Sequence, residues 1–138
     1  LDKIREKESA AYSVGAQGAA TLGDDNYHIF QLIAYCPMKP EKKDVAIKIM
    51  NDEMKTLETS CDPAKFQKCK EFVLKQNGAQ VKTNGYWLNV IGDNYFYGFD
   101  SHSDYVKTVE ALTPQDICNF VKEFNKAGNH VTVMILPE

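Results

Sequence analysis

Three histidines, four cysteines and a Ser-His-Ser-Asp run are the side chains of this sequence best suited to metal or nucleophilic chemistry, and their spacing argues against both. His28, His102 and His130 fall in three different predicted elements, and none has a second His or a Cys at ligand distance along the chain. Zinc catalysis needs ligands that converge, as the helical H-x-x-E-H arrangement achieves by setting two imidazoles on one face with a glutamate between them. No such motif is present, so no metal ligand is assigned within this chain. Cys36, Cys61, Cys69 and Cys118 include no C-x-x-C pair and read as small hydrophobes. In Ser101-His102-Ser103-Asp104 neighbouring side chains point apart on a loop, whereas a catalytic triad is assembled by the fold. Neither G-x-x-x-x-G-K nor G-x-G-x-x-G occurs, which removes phosphate cradling. What is left is the segment from Ile4 to Val14.

The elements that must position these residues can be read from periodicity and punctuation. Residues 1 to 10 are charged and helix-favouring, and Leu1 opens directly on them. The chain is therefore expected to be an N-terminally truncated piece that starts inside a helix. Ala11 to Leu22 is weak strand material made of small residues around Tyr12, Val14 and Gln17. The turn cluster Gly23-Asp24-Asp25-Asn26 and the alternation of Phe30, Leu32, Ala34 and Cys36 turn it into the first arm of an antiparallel hairpin. After Pro37 and Pro40, Glu41 to Thr59 places Val45 and Ile49, then Ala46, Met50 and Leu57, at helical spacing, with Ile49, Met50 and Met54 as a core stripe. Asp62-Pro63 supplies an N-cap and a proline at the first helical position for a helix through Gln76, with Phe66, Val73 and Leu74 inward. Despite its glycines, the aromatic stretch predicts a helix over Tyr86 to Tyr95, and a short one follows from Ser103 to Leu112. Thr113-Pro114-Gln115-Asp116 starts another, carrying Ile117, Phe120, Val121 and Phe124 toward Gly128. Val131 to Leu136, apolar on both faces, reads as a buried closing strand. The expected class is α+β: one domain over residues 1–138, a largely antiparallel sheet with helices packed on one face.

Composition limits the partners. A net charge of −3 lacks the concentrated cations that nucleic-acid binding requires. The longest apolar runs are far short of the roughly 18 residues that span a bilayer. The cluster of Tyr86, Trp87, Tyr95, Phe96, Tyr97 and Phe99 is expected to be core and interface, with substrate contact as the lesser alternative. Taken alone, an arginine at a helix end is ordinarily a solvated or ion-paired surface residue, and a tyrosine on a strand is ordinarily half core.

The segment Ile4-Arg5-Glu6-Lys7-Glu8-Ser9-Ala10-Ala11-Tyr12-Ser13-Val14 resembles the C-terminal half of zinc peptidases of the pitrilysin/insulinase family, shared by mitochondrial processing peptidase and related core proteins. There a helix ends in an Arg-Glu pair, and a tyrosine seven residues after the arginine opens a strand. The later elements keep the family's order across most of the chain, as far as the Thr-Pro-Gln-Asp helix start and a terminal strand ending in proline. The resemblance implies part of the family's two-layer α/β sandwich, with zinc held through H-x-x-E-H in a separate N-terminal half of the same or a partner chain. It also implies a peptide substrate, whose carbonyl or transition state Arg5 and Tyr12 contact from this side. Slim residues such as Ser13 and Gly15 would let substrate or the other half come near. The same resemblance admits a non-catalytic partner or scaffold subunit, and an unrelated α+β binding module is the third expectation. Substrate preference, oligomeric state and compartment are not legible.

Overall fold

A computed structural model describes residues 13–22 and 28–135, with only the backbone described at residue 28. The segment that contains Arg5 and Tyr12, the expected opening helix and the hairpin turn at 23–26 lie outside the described residues. Two strands, β1 (Gly15–Leu22) and β2 (His28–Tyr35), pair antiparallel into a two-stranded sheet. A 3-10 turn, Pro40–Lys42, leads into α1 (Lys43–Leu57), followed by α2 (Pro63–Gln80), α3 (Asn84–Tyr97), α4 (Tyr105–Ala111) and α5 (Pro114–Lys126). The α+β class expected from the sequence is what forms.

The helix starts are set by the residues that signalled them. Asp62 accepts the backbone N–H groups of Ala64 at 2.8 Å and Lys65 at 3.1 Å, satisfying two of the donors a helix start leaves open, with Pro63 behind it. Thr83 caps α3 through the Tyr86 N–H at 3.4 Å. At α5 the Asp116 carboxylate accepts both the N–H and the hydroxyl of Thr113, at 2.8 and 2.6 Å, while the Thr113 hydroxyl takes the Asp116 N–H at 3.4 Å. This is a capping box with aspartate in the usual glutamate position. Gly98, at φ 64°, closes α3 in the left-handed conformation that a β-carbon disfavours.

The chain divides into two compact units. One holds residues 15–19 of β1, residues 31–35 of β2, α1 and α5 from Ile117. Its buried apolar residues are Ala46, Cys118 and Val121, and the Asn125 side-chain amide donates to the Glu58 carboxylate at 2.7 Å, tying the end of α5 to the end of α1. Ile49, Met50 and Met54, expected as core, are half-buried. The other unit holds residues 20–22 and 28–30, α2, α3, α4 and the first residues of α5. There the Lys70 ammonium donates to the carbonyls of Glu110 and Leu112, the latter at 3.0 Å, joining α2 to the C-terminal end of α4.

Three expectations are corrected. The second helix does not stop near Gln76 but continues to Gln80 through Asn77-Gly78. Asn77 is buried on it, and the roughly 1 kcal/mol a mid-helix glycine costs relative to alanine does not break an established helix. Residues 131–135 are not a strand: Val131 is 84% and Ile135 94% exposed, and among the described residues the sheet has two strands. Alternation marks a segment that could pair, but a strand forms only where a neighbouring edge accepts its backbone groups. The aromatic cluster is not core either, since Tyr95 is 81% exposed and Leu88, Ile91 and Phe96 beside it are also exposed.

Candidate functional site

The Arg5–Tyr12 segment is followed by exposed Ser13 and half-buried Val14, and β1 begins at half-buried Gly15. The rest of β1 is built from small side chains with exposed surfaces, among them Ala16, Gly18, Ala19 and Ala20. Above Gly15 the space is already occupied: a β-carbon there would sit 2.2 Å from the ring of Tyr35 on β2. Glycine at this point admits the tyrosine ring, so close approach is used first within the hairpin.

The residues weighed for metal or triad chemistry stay dispersed. His28 opens β2, His102 lies in the turn between α3 and α4, and His130 stands in the C-terminal segment, 3.5 Å from the Thr132 hydroxyl. Among the described residues no three His, Cys, Asp or Glu side chains gather as a cation site. Within Ser101–Asp104, His102 Nδ1 is in hydrogen-bond contact with the Tyr86 hydroxyl at 2.8 Å. The imidazole is tied to a phenol, which gives it orientation rather than a nucleophile to activate.

Around that imidazole the structure builds a recess that the sequence did not announce. It has a volume of about 410 Å³ and is lined by Trp87, Ile91, Asn94, Tyr95, Asp100 and His102, among others. Helical spacing puts Trp87, Ile91 and Tyr95 on one stripe of α3, and the left-handed turn at Gly98 brings the chain back so that Asp100 and His102 face it. The Trp87 indole N–H donates to the Val81 carbonyl at 2.9 Å, and His102 lies tilted against the indole with ring centres 4.7 Å apart. Asp100 accepts the backbone N–H groups of His102 and Ser103, both at 2.9 Å, through one carboxylate oxygen. The Ser103 hydroxyl, then those two N–H groups, hold its pKa down to about 2. It is thus anionic throughout the physiological range. One residue upstream of the Ser-His-Ser-Asp run, Asp100, two and three residues ahead of its donors, has the spacing of an aspartate that bonds its own following backbone, the signal by which the sequence marks it. A second recess, of about 480 Å³ beside α4, carries Asp104, Lys107 and Asp116, but the Asp116 carboxylate is engaged in capping α5.

Comparison of the chain with protein-family models, with curated proteins and with solved structures returned no match.

Proposed function

We propose that this chain is the substrate-side C-terminal domain of a zinc-dependent peptidase of the pitrilysin/insulinase type, with the zinc held by a separate half. The observation that carries the reading is the Arg5-Glu6 pair with Tyr12 seven residues after the arginine, three residues ahead of the start of β1. Two further features support it. The hairpin, the long α1 after a proline-marked loop, the Asp-Pro start of α2 and the Thr-Pro-Gln-Asp start of α5 occur in the order that the resemblance requires. Exposed Ile29, Ile33 and Tyr35 on β2 also suit a chain against which another protein surface lies.

In this reading H-x-x-E-H residues of the other half would hold the zinc, whose chemistry there would be Lewis-acid activation of the scissile carbonyl and of water. This chain's part is electrostatic. As the carbonyl oxygen gains charge, Arg5 offers a permanent cation with a fork of N–H donors, and the Tyr12 hydroxyl donates while staying neutral. Donors aimed at such an oxygen contribute roughly 3 to 4 kcal/mol each to transition-state stabilisation. Because they stand on a different half from the metal, the site is complete only when the halves close on substrate.

The test uses the full-length parent. It should carry H-x-x-E-H upstream and cleave an unstructured peptide in a reaction that chelation stops. Tyr12→Phe should then lower kcat by about 100-fold with little change in KM. Unchanged turnover would remove Tyr12 from the chemistry, and cleavage that survives chelation would remove zinc. A parent without the zinc motif would make the chain a partner subunit of the same family.

A further inference from the structure

We infer that the recess at the C-terminal end of α3 binds a guanidinium group, the arginine side chain of a flexible peptide, between the Asp100 carboxylate and the aromatic walls Trp87 and Tyr95. The volume, about 410 Å³, is that of a small-ligand pocket rather than a docking groove for a whole domain. Its walls are held before any ligand arrives. The indole is fixed by its bond to the Val81 carbonyl and braced by His102, which the Tyr86 hydroxyl holds in turn. Its charge is one-sided: among the described residues no lysine or arginine lines the recess, while Asp100 and the carbonyl end of α3 both favour a cation.

The choice of guanidinium over ammonium follows from the walls. Trp87 is 41% exposed and Tyr95 81%, so both offer aromatic surface at the recess. A guanidinium is planar and more weakly hydrated than an ammonium, so it stacks on such surfaces at lower desolvation cost. Two backbone N–H groups occupy one oxygen of Asp100 and the Ser103 hydroxyl takes a further position, which leaves about one of a carboxylate's four lone-pair positions, beside its full charge, for the ligand. Neither Arg5 nor Tyr12 takes part, and the inference does not depend on the peptidase reading.

Trp87 is the single tryptophan of the chain, so its fluorescence reports on this recess alone. The 138-residue chain would be titrated with a tripeptide, Ala-Arg-Ala, blocked at both ends, and with the same peptide carrying citrulline, a neutral isostere of arginine. A saturable change with the arginine peptide is expected, with the citrulline peptide about tenfold weaker. Asp100→Asn keeps an oxygen for the backbone donors and removes the charge, and should bring the arginine affinity down to the citrulline level. Tyr95→Ala, at an exposed position that folding does not need, should weaken binding several-fold. Equal affinity for the two peptides, the absence of a saturable signal, or arginine affinity unchanged in both variants would overturn the assignment. Tyr12→Phe should leave the titration unaltered, which separates a failure here from a failure of the peptidase reading.

Discussion

Asp100 illustrates how a single exposed carboxylate can organise a turn. The folded chain gives up the Asp100 proton more readily than an unfolded chain does, because its anion is bonded by the Ser103 hydroxyl and two backbone N–H groups. Its contribution to stability is therefore complete above the ordinary aspartate value of 3.8 and is lost as the pH falls through about 2. Asp62 and Asp116 are lowered too, the first by the N–H groups of Lys65 and Ala64 and the second by the Thr113 hydroxyl and N–H. Thermal unfolding followed by circular dichroism should show the melting temperature falling on acidification below about pH 4. A variant with all three aspartates changed to asparagine should start lower at neutral pH and fall less steeply; an identical acid limb would show that these carboxylates are not its cause. Two of the three were legible in the sequence, since Asp62-Pro63 and Thr-Pro-Gln-Asp are cap signals that act within four residues. Asp100 has the same local spacing to its donors, a signal passed over in the sequence, whereas the recess it faces forms only once Gly98 has turned the chain.

Between elements, the longest-range polar contact of the second unit is Lys70 of α2 reaching the last carbonyls of α4. A helix C-terminus leaves carbonyls without intrahelical donors, and an ammonium satisfies both their bonding and their partial charge. Lys70→Met keeps the aliphatic stem and removes the donor, and should cost about 1 to 2 kcal/mol, seen in urea unfolding as a lower midpoint at an unchanged slope. Faster amide exchange confined to residues 105–112 would locate the loss at α4. Helix existence was readable throughout, including α3, whose glycines suggested interruption: Gly85 and Gly92 meet nothing that a β-carbon would disturb, and the helix runs through both. Strand existence was readable only where a partner lay close in sequence. The hairpin pairs its own two strands, whereas Val131 to Ile135 has the right alternation but no edge beside it among the described residues, and alternation cannot supply one.

For the whole molecule, the distribution of apolar surface is the dominant fact. Ala46, Cys118 and Val121 are the buried apolar residues among those described, while Ile29, Ile33, Leu88, Ile91, Tyr95, Phe96, Val131 and Ile135 are all exposed. Exposed apolar area on this scale drives association. Sedimentation should show the isolated chain self-associating as its concentration rises, more strongly at higher sulfate, and Val131→Lys with Ile135→Lys should reduce the effect. A monomer at all concentrations would mean that these side chains find cover within one chain. The sequence could not disclose this, because its 43% hydrophobic content is ordinary and says nothing of where those residues end up.

The uneven burial of the cysteines gives the molecule a built-in clock. Cys69 is exposed, Cys36 is half-buried with its thiol pushed up by that burial, and Cys118 on α5 is 3% exposed. A thiol reagent attacks the thiolate, so access and acidity together set the order of reaction. Under native conditions Cys69 should be alkylated ahead of Cys36, and Cys118 only as often as the unit around α5 opens. Mass spectrometry of timed samples would then read the opening rate of that unit directly from Cys118, in a chain that needs no label, mutation or bound ligand to report it.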